Sequence, residues 1–387
     1  MSRPLRVLLL CDRLSLSGGV ERFVCALAND LAMQGLDVAV GSVDTPRNAL
    51  RYPLLEAVRV VSGELAVAPV ESRAESSTRG IARAWRLLRT QWRTGRALSH
   101  LTRRESPDVV VLNALTTSCS TLLLDRRFAS RTICCDHNHF AARSRLWQRL
   151  RAWLYPQVAA VVSLTEADAA HFRALNPNTH VIYNATALRA DTPAAVAAPI
   201  ALAVGRHVAQ KGFDLLLAAW AIVQARLPEA RLRIVGEGQL RLEHERLAGS
   251  LGLASSVEWI DPTSEIERLY RGAAVFALPS RYEGMPLALL EAQALGVPAV
   301  AFDCPTGPAE ILTPETGRLV PAGDTGALAE ALIALLAASV DERAAMGRAA
   351  IARSQALFSP QRHVQRWTAL INEVGLRHRY GRGTVPA

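Results

Sequence analysis

The residues best suited to chemistry lie in Ser280-Arg281-Tyr282-Glu283-Gly284-Met285-Pro286-Leu287-Ala288-Leu289-Leu290-Glu291-Ala292, after a strand-like run, Ala274–Leu278. Gly284 permits a sharp turn. Pro286 suits the first turn of a helix, where its missing N–H costs nothing. A helix opening there leaves unpaired N–H groups near Met285–Leu287, an anion site. Glu291 then falls about five residues into the helix, roughly 7.5 Å along its axis. That separation suits a ligand with phosphates at the helix start and a ribose beyond, its hydroxyls donating to Glu291. Glu283, on the turn, faces whatever hangs from the phosphate. The competing reading is a solvated carboxylate beside an ordinary helix start.

A second strand-to-helix turn is Val204-Gly205-Arg206-His207-Val208-Ala209-Gln210-Lys211-Gly212. Lys211 is the sole lysine against 43 arginines. A compact ammonium on a flexible stem binds phosphate as a point charge; the alternative is a solvated surface lysine. A third turn, Ser17-Gly18-Gly19-Val20-Glu21-Arg22, lets the Gly18 and Gly19 backbone approach an anion. It is not G-x-G-x-x-G, so the dinucleotide fingerprint is missing. A fourth cluster, Asp136-His137-Asn138-His139-Phe140, follows the strand-like Thr132–Cys135. Histidines at a strand's carboxyl end suit polar or proton-transfer work, or act as structural caps.

These turns need a scaffold of strands and helices. Leu5–Cys11, Leu36–Val43, Asp108–Leu112, Thr132–Cys135 and Val158–Leu164 read as strands, with a helix over Glu21–Gln34 and helical stretches between most of the others. Ala185–Pro199, rich in alanine and without periodicity, marks a boundary. The rhythm then restarts at Ile200–Val204, Leu232–Val235, Val257–Ile260, Ala274–Leu278 and Ala299–Phe302. Continuous apolar strands bounded by helices indicate parallel sheets covered on both faces. The fold class is α/β, with two doubly wound Rossmann-like domains facing across a cleft. Domains are expected at 1–184 and 199–358, joined by a linker over 185–198. A helical tail over 359–387, broken at Ser359-Pro360, is expected to pack back on the first domain. Ligands of such sheets bind outside the carboxyl ends of the strands.

The 387 residues, half hydrophobic and a fifth charged, are globular in composition. The six cysteines form no C-x-x-C pair and read as small buried residues, which argues against a disulfide framework and a structural zinc site. The net charge of +9 is uneven: residues 1–190 carry +10 and residues 191–387 carry −1. The first half is expected to meet something anionic. Arg79–Arg104 holds Arg79, Arg83, Arg86, Arg89, Arg93, Arg96, Arg103 and Arg104 with Trp85 and Trp92. Arg143–Trp153 repeats the mixture with Arg145, Arg149, Arg151 and Trp147. Basic amphipathic helices with tryptophans suit an anionic membrane interface, although a solvated face has the same composition. No apolar run approaches the ~20 residues of a membrane span. The run after Arg3 and Arg6 ends at Asp12, too short for a signal peptide, so a cytoplasmic location is expected.

Taken together, these residues resemble the retaining glycosyltransferase family 4 of the two-domain GT-B fold, in its bacterial surface-glycan type. The likeness runs from Arg6 to about Leu370. Glu283 and Glu291 look like the family's E-x7-E pair, and Arg206 and Lys211 like its diphosphate-binding Arg and Lys. Gly18 and Gly19 match the glycines of its N-terminal loop. Gly236-Glu237-Gly238 is similar to its G-x-G turn, and Ile182-Tyr183-Asn184 to the segment closing its first domain. His137, with His139 as runner-up, stands where the family has a histidine facing donor sugar and acceptor. Ile260-Asp261-Pro262 departs from the glycine that many members carry there.

The resemblance implies transfer, with retention, from a nucleoside diphosphate sugar bound mainly by the C-terminal domain. The acceptor, a glycan or lipid-linked sugar, is bound by the N-terminal one. It implies catalytic roles for His137, Glu283, Arg206 and Lys211. It implies donor contacts from Gly18, Gly19, Arg206, Lys211, Gly284, Met285, Pro286, Leu287 and Glu291. No cofactor and no metal are expected; the chain lacks an Asp-x-Asp pair. Cys304-Pro305-Thr306-Gly307-Pro308-Ala309-Glu310-Ile311 looks like the version in bacterial enzymes using UDP-galactose or UDP-N-acetylhexosamines, with Glu310 near the donor. The expected location is the inner face of the cell membrane. A sugar-nucleotide epimerase of the same fold is the alternative. A nicotinamide enzyme with Asp44 on the ribose lacks its fingerprint. An RNA-binding protein lacks an RNP-like or zinc-knuckle pattern, so no nucleic acid partner is expected.

Overall fold

The computed structural model describes residues 3–16, 18–43, 45–63 and 81–381. Ser17, Asp44 and Arg79 lie outside the described residues, as do the side chains of Arg83, Trp85 and Arg86. The chain divides into two compact units: Met1–Ile182 with His363–Ala387, and Tyr183–Arg362.

In the first unit seven strands form one sheet: β1 (Arg6–Leu10), β2 (Asp37–Ser42), β3 (Arg59–Ser62), β4 (Val109–Asn113), β5 (Thr132–Cys135), β6 (Ala160–Ser163) and β7 (Thr179–Val181). Every pairing is parallel, in the order β3-β2-β1-β4-β5-β6-β7. Its helices are α1 (Gly19–Met33), α2 (Ile81–Glu105), α3 (Leu115–Leu124), α4 (Arg145–Leu154) and α5 (Glu166–Arg173). Leu8, Leu9 and Leu10 of β1 and Val109–Leu112 of β4 are buried, as central strands covered on both faces require.

The second unit has β8 (Ile200–Val204), β9 (Arg231–Val235), β10 (Val257–Ile260), β11 (Val275–Leu278), β12 (Ala299–Asp303) and β13 (Gly317–Pro321). They too are parallel, in the order β10-β9-β8-β11-β12-β13. Its helices are α6 (Phe213–Arg226), α7 (Arg241–Ser250), α8 (Ile266–Arg271), α9 (Leu287–Ala294), α10 (Pro308–Ile311), α11 (Thr325–Ala337) and α12 (Val340–Leu357). A final helix, α13 (Pro360–Tyr380), carries His363 onward into the first unit, where Trp367 is buried and Arg379 pairs with Asp108 at 2.6 Å.

Residues 185–198, read as a linker, form no helix or strand but belong to the second unit. The Ala190 N–H donates to the Ala294 carbonyl at 3.1 Å, and Arg343 donates to that of Val196 at 2.7 Å. These bonds tie the segment to the second unit, which the loss of periodicity does not reveal.

In each sheet the connections leave the central pair of strands in opposite directions, β1 with β4 and β8 with β11. The carboxyl ends of such pairs are where doubly wound sheets hold ligands.

Candidate active site

The turns after β8 and β11 interlock. The Arg281 N–H donates to the Gln210 carbonyl at 2.8 Å, and Gln210 Nε2 donates to the Tyr282 carbonyl at 3.0 Å. The Arg281 guanidinium holds the Ala209 carbonyl and both carboxylate oxygens of Asp214, at 2.8, 2.8 and 2.6 Å. Gly212 makes this closure possible. Its φ is +66°, and a Cβ there would collide with the Pro279 carbonyl. The stem of Lys211 lies over Gly205.

Lys211 and Glu283 therefore meet. Nζ lies 2.6 Å from Glu283 Oε1, with the ammonium side chain 18% exposed and the carboxylate 7%. Ser280 Oγ donates to the same oxygen at 2.6 Å, and Thr306 Oγ1 donates to the Glu283 carbonyl at 2.9 Å. Thr306 has φ 59° and Gly307 φ 91°; a Cβ on Gly307 would run into Gly284 and Pro286. The loop after β12 thus braces the turn carrying Glu283, and Arg353 ties it down through the Glu310 and Ile311 carbonyls. Arg206 is exposed and pairs with no carboxylate among the described residues.

Pro286 is the N-cap of α9 and not its first helical residue; its carbonyl accepts from Leu289 and Leu290. The next amides, of Leu287 and Ala288, have no intrahelical acceptor. The Met285 carbonyl accepts from Asn184 Nδ2 at 3.1 Å. Glu291, 2% exposed, accepts from the hydroxyl of Tyr270 at 2.8 Å. Sequence reasoning missed Tyr270, Ser280, Thr306 and Arg281 as supports, because nothing in their spacing marks them.

In the first unit Gly18 caps α1 in extended conformation and Gly19 opens it. The Glu21 carboxylate folds back over Gly18, so an anion at this turn must displace that side chain. His137 follows β5; its Nε2 lies 3.0 Å from Asn113 Oδ1, and Phe23 packs edge-on at 4.6 Å. Burial pushes its pKa down to about 3. His139 is lowered by burial, opposed by Asp168.

The basic faces need one correction. Arg151 is 1% exposed and bonds Asp136 at 3.3 Å and the Phe140 carbonyl at 2.7 Å, beneath the ring of Phe140. It holds the histidine loop and leaves the surface to Arg143, Arg145 and Arg149. Trp147 is likewise packed on the core. Arg103 pairs with Asp125, and Arg104 with Glu105. Exposed apolar side chains accompany what remains: Leu87, Leu88 and Trp92 on α2, Leu123 and Leu124 on α3, Leu146 and Trp153 on α4. Among the described residues no helix is long and apolar enough to cross a membrane.

Solved structures share this architecture. Sucrose-phosphate synthase from Thermosynechococcus elongatus superposes with a TM-score of 0.76 at 21% identity, over 97% of this chain and 98% of that one. Anabaena HepE, in complex with UDP and glucose, gives 0.74 at 17%, over 95% and 100%. Two doubly wound parallel units of this kind define the GT-B glycosyltransferase fold. Residues 17–189 match the model described as Glycosyltransferase Family 4, and residues 198–338 that of Glycosyl transferases group 1. The amylovoran biosynthesis glycosyltransferase AmsD of Erwinia amylovora is 30% identical over 379 residues, covering 95% of this chain and 99% of that protein. The chain belongs to glycosyltransferase family 4 and is a glycosyltransferase.

Proposed function

We propose that this glycosyltransferase transfers, with retention, a hexose or N-acetylhexosamine from a UDP-linked donor to a glycan or lipid-linked acceptor. The product is a surface polysaccharide made at the cytoplasmic face of the membrane. The observation that carries the reading is the cationic pair at the β8–β11 switch point. Lys211 sits on Glu283, which shortly precedes α9, while Arg206, on the same turn as Lys211, has no carboxylate partner among the described residues. Breaking the bond from the sugar to a diphosphate leaves negative charge on the departing oxygen. Preorganised cations and helix amides are the groups that stabilise such charge. Arg206 and Lys211 take the diphosphate with the backbone of Gly284, Met285 and Leu287, and Pro286 sets the helix start. Glu283, held by Lys211 and Ser280, orients the donor sugar. Glu291 accepts from the ribose. The backbone of Gly18 and Gly19 takes part in holding the donor. His137 serves the sugar and acceptor hydroxyls. AmsD, named for amylovoran biosynthesis, supports the polysaccharide context, and HepE with UDP and glucose supports the donor class.

A thermal-shift panel of UDP, GDP and their sugars tests this reading, since a ligand of the native state raises its stability by mass action. UDP and its sugars are expected to raise the Tm and the guanine series to do so weakly; indifference to every nucleotide refutes the proposal. Glu291→Ala is expected to weaken donor and free UDP alike, by about 10- to 100-fold for a charge-assisted hydrogen bond. Unchanged UDP affinity in the folded variant removes Glu291 from the ribose.

The protein's own cations take the place of a divalent ion, so transfer is expected to persist in EDTA. Full loss in EDTA with recovery on adding manganese contradicts the assignment of the diphosphate to Arg206 and Lys211.

A further inference from the structure

Three strand ends meet at the switch point of the first unit. Asn113, fully buried, is the last residue of β4 and is paired in register with Cys135 of β5. Its side-chain Nδ2 lies 3.1 Å from the Leu10 carbonyl at the end of β1. Its Oδ1 lies 3.0 Å from His137 Nε2, just beyond the end of β5. A carbonyl only accepts, so the nitrogen of the amide must face Leu10 and the oxygen must face His137. An amide oxygen also only accepts, so His137 Nε2 must carry the proton.

We propose that Asn113 is the positioning residue of His137, fixing it as the Nε2–H tautomer and leaving Nδ1 as the bare acceptor for a substrate hydroxyl. This deepens the function proposed above and rests on it for the word substrate. The tautomer itself follows from the hydrogen bonds alone. His137 is half-buried, and no described residue bonds its Nδ1. A neutral imidazole with one lone pair left unbonded is the form that accepts a hydrogen bond and so orients a hydroxyl. Burial favours the neutral form, and no charged group among the described residues opposes it. Phe23, from α1, closes one side of the ring, and Trp367 and His363 of α13 lie behind Phe23.

The backbone beside Asn113 carries a second mark. Ala114 has φ 76° and ψ 142°, a region that disfavours a side chain, and it leads straight into α3. Its N–H donates to the Cys135 carbonyl at 2.8 Å, and its carbonyl accepts from Ser118 at 3.0 Å. Strain of this kind persists only where the surroundings over-determine it, and it gathers at working sites. Here it locks the end of β4 to the end of β5, two residues before His137.

The test reads the tautomer first. Nitrogen-15 NMR of ring-labelled ligand-free protein, with His137→Ala used to assign the signal, is expected to show His137 as one Nε2–H tautomer from pH 8 to pH 5. An Nδ1–H or mixed population overturns the proposal without touching the glycosyltransferase reading, because no donor is present. In Asn113→Leu the pure tautomer is expected to be lost. Its kcat should fall about 10- to 100-fold, up to the loss that an ångström-scale misplacement of a reacting group brings, with KM for the nucleotide sugar within about twofold. In a His137→Ala background the same substitution should cost less than about twofold, since the two side chains act as one unit. Full kcat in folded Asn113→Leu, or losses that simply add, overturns it. If Asn113→Leu does not fold, the wild-type spectrum still decides.

Discussion

Lys211→Ala is expected to lower kcat/KM for sugar transfer by about two to three orders of magnitude, the loss typical of removing one preorganised stabiliser of developing charge. Two effects combine. The ammonium that meets the departing diphosphate is lost, and Glu283 loses its partner. A carboxylate 7% exposed, with Ser280 Oγ as its remaining side-chain donor, is then buried with an uncompensated charge. Leaving a buried charge unpaired costs on the order of 1–3 kcal/mol or more, so the Tm should fall by several degrees while the circular dichroism stays native. Lys211→Ala with Glu283→Ala removes both halves and should recover part of that Tm without recovering activity. The double variant separates folding from catalysis. Glu283→Gln, by contrast, should keep UDP affinity and lose turnover. Lys211→Arg should recover little, because the stem runs over Gly205 and a planar fork needs more room than a point charge. Normal turnover of folded Lys211→Ala removes the cationic pair from the mechanism.

The two doubly wound sheets were legible because their central strands are continuous apolar runs. The strands that sequence reading missed, β3, β7 and β13, are edge strands with alternating or intermediate burial, such as Gly317–Pro321, where Arg318 and Leu319 are exposed. An edge strand lacks the two-sided cover that makes a hydrophobic run. The candidate site was legible where chemistry and backbone coincide: Lys211, the lone lysine at a helix opening, meets Glu283 of the Gly-x-Pro turn, and Glu291 lies in the helix that follows. Its supports were not. Tyr270 reaches Glu291 from another helix, Thr306 reaches Glu283 from another loop, and Asn113 reaches His137 from the neighbouring strand. Each is ordinary in sequence and acquires its role only through sheet order. Arg151 shows the converse error. Helical spacing among arginines put it on a basic face, yet the fold turns it inward to Asp136, where its charge serves the loop of His137 and His139.

Charge reversal on the first unit is the other large effect expected. Arg89, Arg96, Arg143, Arg145 and Arg149 are exposed, Arg93 is half-buried, and none pairs with a carboxylate among the described residues. Arg96 lies over the ring of Trp92, and Arg126 over that of Trp153, at 5.4 and 4.7 Å. Both tryptophans are about half exposed, at 52% and 49%. Helices α2, α3 and α4 adjoin in sequence of packing, and Gly95 lets α2 come against the Ser120 carbonyl of α3. These adjoining helices thus carry exposed leucines and tryptophans together with unneutralised arginines. Such a face gains from an anionic leaflet twice, by apolar insertion and by about 1 kcal/mol per basic residue near the surface. Wild-type protein is expected to float with phosphatidylglycerol vesicles at low salt. It should be released by several hundred millimolar salt, as the Debye length falls well below 10 Å. Replacing Arg89, Arg93 and Arg96 by Glu removes about 3 kcal/mol of attraction and adds repulsion, so vesicle affinity should fall by at least about 100-fold. UDP binding, assigned to the second unit, should be unchanged. Trp92→Ala should weaken binding even at high salt, where the apolar part is all that remains. A wild-type protein that ignores anionic vesicles at low salt has a merely solvated basic face and takes its acceptor from solution.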